Sequence, residues 1–356
     1  MWISYCKYTG VAMTTCRTNC WSIEDNKIVY HHPNMNVFWG VPDDYSMPSE
    51  SVLSLAEYIL LTPHGVHVDV VPMSTIKDNG RVAIAYSGGI DSTAALELLP
   101  DSIPIYTKVA KQKGLHKVDN AILALNEVHG EAIVSNYDEF PLIFGKRSGY
   151  FGFGGFTVTC VLYSEYFKLK TICDGNVLET VYMHSSLGHG TQYNLKNYSP
   201  IFNAFNRAGL QYCMPCAGLT EVSTTKIAKA YRYAMGCMRG RNGQPCNNCM
   251  KCFRKRAIQG NPISTNLEVE KKLCGKFIPM LPSLLWARDN KGLSHPILDS
   301  IDKNVDWVDK WYSRAEEFIP EELRNTIRSS LNKHGIIELC DPVHLEGWVS
   351  SVSDTY

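Results

Sequence analysis

The segment that most constrains the fold is a short apolar run that leads directly into a small polar loop. Residues 82–86 read Val-Ala-Ile-Ala-Tyr, a continuous apolar run of the kind that a parallel strand buried on both faces requires. The loop Ser-Gly-Gly-Ile-Asp-Ser follows at 87–92, and a helical pattern begins at Ser92. A strand, a tight turn and a helix start in this order predict an open α/β sheet that binds a ligand at the turn.

The composition of this loop suits a phosphate group. Gly88 and Gly89 carry no Cβ, so the backbone can turn sharply and approach a ligand closely. Free N–H groups at the helix start favour an anion, the hydroxyls of Ser87 and Ser92 add donors, and Asp91 fits if magnesium accompanies the phosphates. An ordinary glycine turn would explain neither the acid nor the second serine. These five residues are the candidate phosphate-binding residues, and Asp91 and Ser92 are the candidate catalytic pair.

Segments beyond the loop alternate between strand-like and helix-like patterns. This alternation predicts a doubly wound parallel sheet with helices on both faces, an α/β fold. The predicted strands are residues 103–109, 131–134, 180–183 and 210–214, and the predicted helices are residues 92–99, 118–128 and 159–168.

The chain divides into three zones on this basis. Residues 1–80 are expected to form a small α/β appendage, residues 81–260 the sheet domain and residues 261–356 a helical C-terminal region. The two terminal zones would provide extra core, a homodimer contact or a docking surface for a partner. Their clearest elements are a helix beginning near Pro48, a strand at 67–73 and helices at 306–319 and 321–331.

The second informative feature is a closely spaced group of four cysteines, Cys237, Cys246, Cys249 and Cys252. Four thiolates complete a tetrahedral zinc site with no open position, which is typical of a structural site. The polar loop at 238–245 cannot order itself by burial, so a metal would hold it. Cys237 would come from the end of a helix at 224–234. An iron–sulfur cluster also uses four cysteines and is an alternative.

The remaining cysteines are weaker candidates. Cys213 and Cys216 follow a predicted strand and are interpreted as core cysteines, with a redox or metal role as the alternative. A loosely spaced group near the N-terminus could form a second metal site from Cys6, Cys16 and Cys20 with His31 or His32.

Composition limits the classes of function. Lys plus Arg and Asp plus Glu both number 35, which argues against a protein whose whole surface binds nucleic acid or anionic lipid. Several of the 13 cysteines lie in short C-x2-C spacings, which indicate metal or redox chemistry rather than a disulfide framework. No secretory leader and no apolar stretch near the roughly 20 residues of a membrane span are visible. We therefore expect a soluble, cytoplasmic protein with no membrane partner, and the charge balance also argues against a nucleic-acid partner. Positive charge gathers around the four cysteines, at Arg239, Arg241, Arg254, Lys255 and Arg256.

The loop at 87–92 resembles the SGGxDS loop of the N-type ATP pyrophosphatases, the PP-loop type of adenine nucleotide α-hydrolase fold. That resemblance implies that the loop holds the pyrophosphate part of ATP. It also implies that a substrate attacks the α-phosphate, which gives an adenylated intermediate and free pyrophosphate.

Together, the loop and the cysteine spacing resemble the 7-cyano-7-deazaguanine synthase family, QueC, over residues 81–260. The similarity includes the basic pair Lys255 and Arg256 and a strand–proline–helix passage at 214–227. It implies an ATP-dependent ligase that adenylates 7-carboxy-7-deazaguanine, forms an amide with ammonia and dehydrates it to the nitrile. The implied cofactors are ATP and Mg²⁺ at the loop and Zn²⁺ at the four cysteines.

The departures from the family fall where the acceptor and the second step would be handled. Some 80 residues precede the loop, about 95 follow the cysteine region, and residues 107–113 and 153–160 replace expected family segments. Thr224 stands where the family has a lysine, and Lys226, two places later, is the candidate replacement that contacts the nucleotide.

This pattern indicates a diverged paralogue. QueC-like proteins with extra terminal regions occur in bacterial antiphage systems, in type IV CBASS and Qat. The resemblance to them implies that a partner protein supplies the amine for an amide with the activated deazaguanine. Three alternatives stay open: a nitrile-forming synthase that uses ammonia, a tRNA-thiolation enzyme that relays sulfur through Cys213 and Cys216, and a non-catalytic nucleotide-binding subunit.

Overall fold

An eight-stranded sheet forms the centre of the protein, with strand order β10-β9-β6-β7-β8-β4-β3-β2. The computed structural model describes residues 14–15, 20–73, 80–110, 118–149, 154–182, 195–237, 239–261, 265–273, 280–339, 345, 347–348 and 351. The sheet strands are β2 (Trp21–Glu24), β3 (Lys27–His32), β4 (Met35–Gly40), β6 (Arg81–Ala85), β7 (Ile103–Val109), β8 (Glu131–Ser135), β9 (Leu169–Cys173) and β10 (Gln211–Cys213). A separate two-stranded parallel pair joins β1 (Thr14–Thr15) to β5 (Val68–Asp69).

The five strands from β6 to β10 are mutually parallel. Counted along the chain from β6, their spatial order is fifth, fourth, first, second, third. Chain order therefore reverses at β6, and in open α/β sheets the crevice at such a reversal is where ligands bind. The predicted α/β class is confirmed, and the candidate phosphate loop leaves β6 at this point.

Helices cover both faces of the parallel strands, as a doubly wound sheet requires. Ala83 and Ala85 belong to the core formed with α1, α4 and α6. Ile84 and Tyr86 belong to the opposite core, with α2, α3 and α12. The helices are α1 (Glu50–Leu61), α2 (Ile90–Leu98), α3 (Val118–Glu127), α4 (Val158–Leu162), α5 (Leu178–Val181), α6 (Leu195–Arg207), α7 (Glu221–Ile227), α8 (Met250–Gln259), α9 (Leu267–Leu273), α10 (Leu281–Lys291), α11 (Pro296–Asp299) and α12 (Glu321–Lys333).

A third core lies beside the sheet and gathers α5 and α7 to α11. Its C-terminal part includes Trp307 and Trp348, whose rings pack edge to face with centroids 5.3 Å apart. No helix in the described part of the chain is long and apolar enough to cross a membrane.

The N-terminal strands extend the central sheet. β2, β3 and β4 form an antiparallel meander, and β4 pairs with β8 at Trp39 and Ser135. Asp25 and Asn26, between β2 and β3, have φ of 46° and 56°, which is the backbone of a tight two-residue hairpin turn. The sequence analysis found helix α1 but missed these three strands, although the Asp-Asn turn was a usable signal.

Several predicted element boundaries are wrong. Residues 178–181 form helix α5 instead of a strand, and residue 183 lies outside the described residues. The strand in this part of the chain is instead β9, which lies between β6 and β10 and has most of its residues buried. Helix α4 ends at Leu162 rather than 168. The predicted helix at 306–319 is a turn followed by the short 3-10 helix Ser313–Phe318, whereas α12 agrees with prediction.

Asn136 joins the meander to the parallel strands, which gives a test of this junction. Its Oδ1 accepts from the N–H of Phe38 at 2.8 Å, and its Nδ2 donates to the carbonyl of Asn36 at 3.0 Å. Asn136→Ala removes both bonds and should cost about 1–3 kcal/mol in the free energy of unfolding. We expect faster hydrogen exchange at Phe38. The exposed Asn126→Ala should leave both measurements unchanged, and equal effects of the two variants would contradict this assignment.

Candidate active site and metal centre

The loop at 87–92 turns tightly between β6 and α2. Gly88 has φ of 72°, a conformation that side chains rarely adopt, and a Cβ there would lie 2.7 Å from Cα of Ala121. Position 88 therefore needs glycine both for its backbone angle and for its contact with α3. The carbonyl of Gly88 accepts from the N–H of Met235 at 3.1 Å, which ties the loop to the segment before the cysteines.

The two serines of the loop hold its shape. Ser92 Oγ accepts from the N–H of Ser87 at 3.2 Å and donates to the carbonyl of Gly89 at 3.1 Å. Ser87 Oγ lies 3.0 Å from Ser92 Oγ and accepts from the N–H of Gly89 at 3.2 Å. These bonds keep the loop folded at the start of α2, where backbone N–H groups favour an anion.

Asp91 points into a polar group contributed by other elements. Its Oδ1 accepts from Thr224 Oγ1 of α7 at 2.7 Å and lies 3.9 Å from Lys255 Nζ of α8. Its Oδ2 has no protein partner among the described residues, and about a third of the side chain is exposed. One carboxylate oxygen is therefore held by the protein, and the other is available to a ligand such as Mg²⁺.

The loop after β9 presses against the start of α2. A Cβ at Gly175 would lie 2.7 Å from both the carbonyl carbon of Asp91 and the nitrogen of Ser92. The neighbouring Asp174 accepts from the N–H and Nδ2 of Asn176 at 3.0 and 2.6 Å, and from the Tyr212 hydroxyl. Burial raises the pKa of Asp174 to about 6. The sequence analysis missed Asp174 because it did not place a strand before it.

Helix α8 places two cations beside Glu221 of α7, and one of them, Lys255, also lies near the loop. Arg254 Nη2 lies 2.8 Å from Glu221 Oε1. Lys255 Nζ donates to Thr225 Oγ1 at 3.1 Å and lies 3.7 Å from Glu221 Oε2. Burial alone would raise the pKa of Glu221, but the charges of Lys255 and Arg254 outweigh burial and lower it.

A second buried carboxyl group lies behind Glu221. Glu179 Oε1 accepts from the N–H of Glu221 at 3.0 Å and from Ser283 Oγ at 3.1 Å, while its Oε2 is buried without a hydrogen-bond partner. Burial, followed by the negative charge of Glu221, raises the pKa of Glu179 to about 8. The group is therefore mainly protonated at neutral pH. No motif in the sequence marked it.

The four predicted cysteine ligands meet in space. Their Sγ atoms all lie within 4.8 Å of one another, with separations of 3.9 Å for Cys237–Cys249, 3.8 Å for Cys246–Cys252 and 3.6 Å for Cys249–Cys252. A tetrahedral ion with metal–sulfur bonds near 2.3 Å needs sulfurs about 3.8 Å apart. The group can therefore hold a metal ion. Cys237 comes from a loop rather than a helix end, because α7 ends at Ile227.

The other sequence candidates have different surroundings, and of these Cys216 contacts the loop, through its Sγ at 3.6 Å from the carbonyl oxygen of Asp91. Lys226 Nζ is 2.8 Å from Asp309 Oδ2 and 5.4 Å from the centre of the Trp286 ring, so its observed partners do not include the loop. Cys213 and Cys216 are fully buried, and burial raises the pKa of the Cys216 thiol. Cys6 and Cys16 lie outside the described residues.

Comparisons with known proteins found a family-model match over part of the chain and solved structures of low similarity. Residues 200–273 match a family of unknown function (DUF6395), and no curated protein matches the chain. NMN synthetase from Francisella tularensis is 12% identical with a TM-score of 0.29, covering 71% of this chain and 98% of its own. The U34-tRNA thiolase NcsA from Methanococcus maripaludis, solved with its [4Fe-4S] cluster, is 14% identical with a TM-score of 0.31, covering 86% and 91%. Scores this low carry no inference about function.

Replacing one cysteine of the cluster tests whether it holds a metal. Cys252→Ser should lower the metal content of the purified protein and destabilise it by several kcal/mol, because metal binding supplies local folding energy. Elemental analysis and thermal unfolding measure the two effects. Cys160→Ala replaces a buried thiol outside the cluster and should retain the metal. Equal metal content in both variants would contradict the assignment.

Glu179 should make stability depend on pH. Its pKa is about 8 in the folded protein against 4.5 ordinarily, so the folded state holds a proton that the unfolded state releases. Its contribution to stability is complete below about pH 4.5 and is lost as the pH rises to about 8. Between pH 6 and 8.5 the melting temperature of the wild type should therefore fall more steeply than that of Glu179→Gln. The exposed Glu50→Gln should parallel the wild type. Parallel curves for Glu179→Gln and wild type would refute this reading.

Proposed function

We propose that the protein is an ATP-dependent ligase that adenylates a carboxylate and transfers the acyl group to an amine. The observation that carries the proposal is the complete loop of Ser87, Gly88, Gly89, Asp91 and Ser92 at the crevice of the sheet, with Asp91 Oδ2 open beside it. The loop resembles the pyrophosphate-binding loop of PP-loop enzymes. A site of this kind binds a nucleotide polyphosphate through backbone N–H groups and hydroxyls.

The chemistry then follows from the position of the phosphates. The loop N–H groups and the hydroxyl of Ser87 would bind the pyrophosphate part of ATP, while Ser92 Oγ keeps the loop in shape. Asp91 would hold Mg²⁺, which neutralises charge on the leaving group. The substrate carboxylate attacks the α-phosphorus, a P–O bond forms, and pyrophosphate departs with its bonding electron pair. An amine then attacks the acyl carbon, loses a proton, and AMP leaves. Holding the reactants together accounts for much of the rate.

Zn²⁺ is the proposed metal of the cysteine centre. The centre is closed, with four thiolates and no open position, as in structural zinc sites. In a four-iron cluster each cysteine binds a different iron atom, which requires wider sulfur spacing than a single ion does. The separations of 3.6 to 3.9 Å favour a single ion.

The proposed substrate is the carboxylate of 7-carboxy-7-deazaguanine, on the strength of the QueC-like cysteine spacing. The proposed acceptor is an amine of a partner protein in an antiphage system, docked on the terminal zones 1–80 and 261–356. The departures at 107–113, at 153–160 and at Thr224 support a changed acceptor. We place the protein in the cytoplasm.

Two other functions fit the structure less well. A tRNA thiolase that relayed sulfur through Cys213 and Cys216 would need accessible thiols, yet both side chains are 0% exposed. A non-catalytic nucleotide-binding subunit would have no need to keep Asp91 held at one oxygen and open at the other.

Turnover with the deazaguanine acid tests the proposal directly. The purified protein with ATP, Mg²⁺, 7-carboxy-7-deazaguanine and an amine should release AMP and pyrophosphate. Asp91→Asn should lower kcat/KM by about 100-fold or more, because transition-state charge on the phosphates loses its metal support. Asp101→Asn, at an exposed turn position beyond the C-terminal end of α2, is the matched control and should retain activity.

The products distinguish the candidate functions. Clean nitrile formation from ammonium would replace the protein-conjugation version with the ammonia-using synthase. No pyrophosphate or AMP with any deazaguanine acid would refute the ligase, and full biological function with Asp91→Asn would favour the non-catalytic nucleotide-binding subunit.

A further inference from the structure

One helix connects the cysteine centre with the phosphate loop. Cys249 is the N-cap of α8, and Cys252 lies in its first turn. Lys255, one turn further on, ends beside Asp91 and Thr225. The same helix therefore carries two candidate metal ligands and the cation nearest the loop.

A second segment makes the same connection. The N–H of Met235 donates to the carbonyl of Gly88 in the loop. The next residue, Gly236, packs along the stem of Lys255, since a Cβ there would lie 3.4 Å from Cε and 3.5 Å from Cγ. Cys237 follows as the first cysteine ligand. Three consecutive residues, 235–237, therefore fix the loop, the stem of Lys255 and the cysteine centre relative to one another.

When a divalent cation is bound to Asp91, the remaining charges around Lys255 leave its ammonium group available to bind an anion. Asp91 and Glu221 face two cations, Lys255 and Arg254, and Glu179 behind them is mainly neutral because its pKa is raised to about 8. Arg254 contacts Glu221 at 2.8 Å, closer than Lys255 does at 3.7 Å. A divalent cation on Asp91 would weaken the attraction of Asp91 for Lys255, while Thr225 keeps the ammonium beside the loop.

We propose that Lys255 binds the polyphosphate of the nucleotide at the loop, in the role that the sequence suggested for Lys226. The inference rests on the proposed function only in taking the ligand of the loop to be a nucleotide. Lys226 is paired with Asp309, whereas Lys255 is held within the group around Asp91. An ammonium there adds charge-assisted hydrogen bonds to the phosphate oxygens beyond the α-phosphate.

Equilibrium binding of a non-hydrolysable ATP analogue and of AMP tests this, with no carboxylate or amine present. Lys255→Met should weaken binding of the analogue about tenfold or more, because a charge-assisted contact is lost. It should change AMP binding less than about twofold, because AMP lacks the contacted phosphates. Lys255→Arg should recover part of the loss. Lys251→Met, on an exposed position one turn earlier in α8, should bind both nucleotides as the wild type does.

Each other outcome of this binding experiment has its own interpretation. Unchanged affinity of Lys255→Met for the analogue overturns the inference, and so does equal weakening of analogue and AMP, which would indicate a merely structural role. Weakening by Lys226→Met without weakening by Lys255→Met would restore the assignment made from the sequence. A protein that binds the analogue through Lys255 but releases no pyrophosphate with any carboxylate would retain this inference and lose the proposed ligase activity.

Discussion

The arrangement of the site depends on the contacts that converge on Asp91 at the first turn of α2. Thr224 from α7 donates to its carboxylate, Lys255 from α8 faces it, and Gly175 lies against its backbone. These contacts bring together elements far apart in the chain. Because each approaches through a small group or a long flexible stem, the helix start can be surrounded without being covered. The result is a carboxylate fixed on one side and open on the other.

The charged side chains buried behind Asp91 compensate one another, which allows them to lie together in the protein interior. Glu221 is paired with Arg254 and faces Lys255, so removing any one of them would leave a buried charge without compensation. Glu179 avoids the same problem by remaining protonated, with its pKa raised by burial and by Glu221. These interactions fix the positions of the buried charged side chains, while their net contribution to the free energy of unfolding is modest. A metal ion held by the four cysteines around the start of α8 would supply the local order that the polar loop lacks.

Sequence reasoning was most successful where a local pattern corresponds to a local structure. The run at 82–86 and the loop that follows predicted β6, the turn and α2, and the cysteine spacing predicted four sulfurs that meet in space. It failed where burial overrode the pattern. β9 reads ambiguously because it is buried between two neighbours, and residues 306–312 are held by non-helical contacts, such as Thr220 Oγ1 with the carbonyl of Val308. The meander β2–β4 was missed although its turn carried a signal.

The sequence by itself identified the residues at the two ends of the candidate site, because glycines, serines, an aspartate and closely spaced cysteines form patterns that depend on short-range geometry. Only the tertiary structure decided which cation faces the loop. Lys226 follows Thr224 and Thr225 in the sequence, yet it pairs with Asp309, while Lys255 from another helix reaches Thr225 and Asp91. The carboxyl groups of Asp174 and Glu179 were likewise invisible in the sequence. Their partners come from distant segments, and only folding makes burial and neighbouring charge act on them.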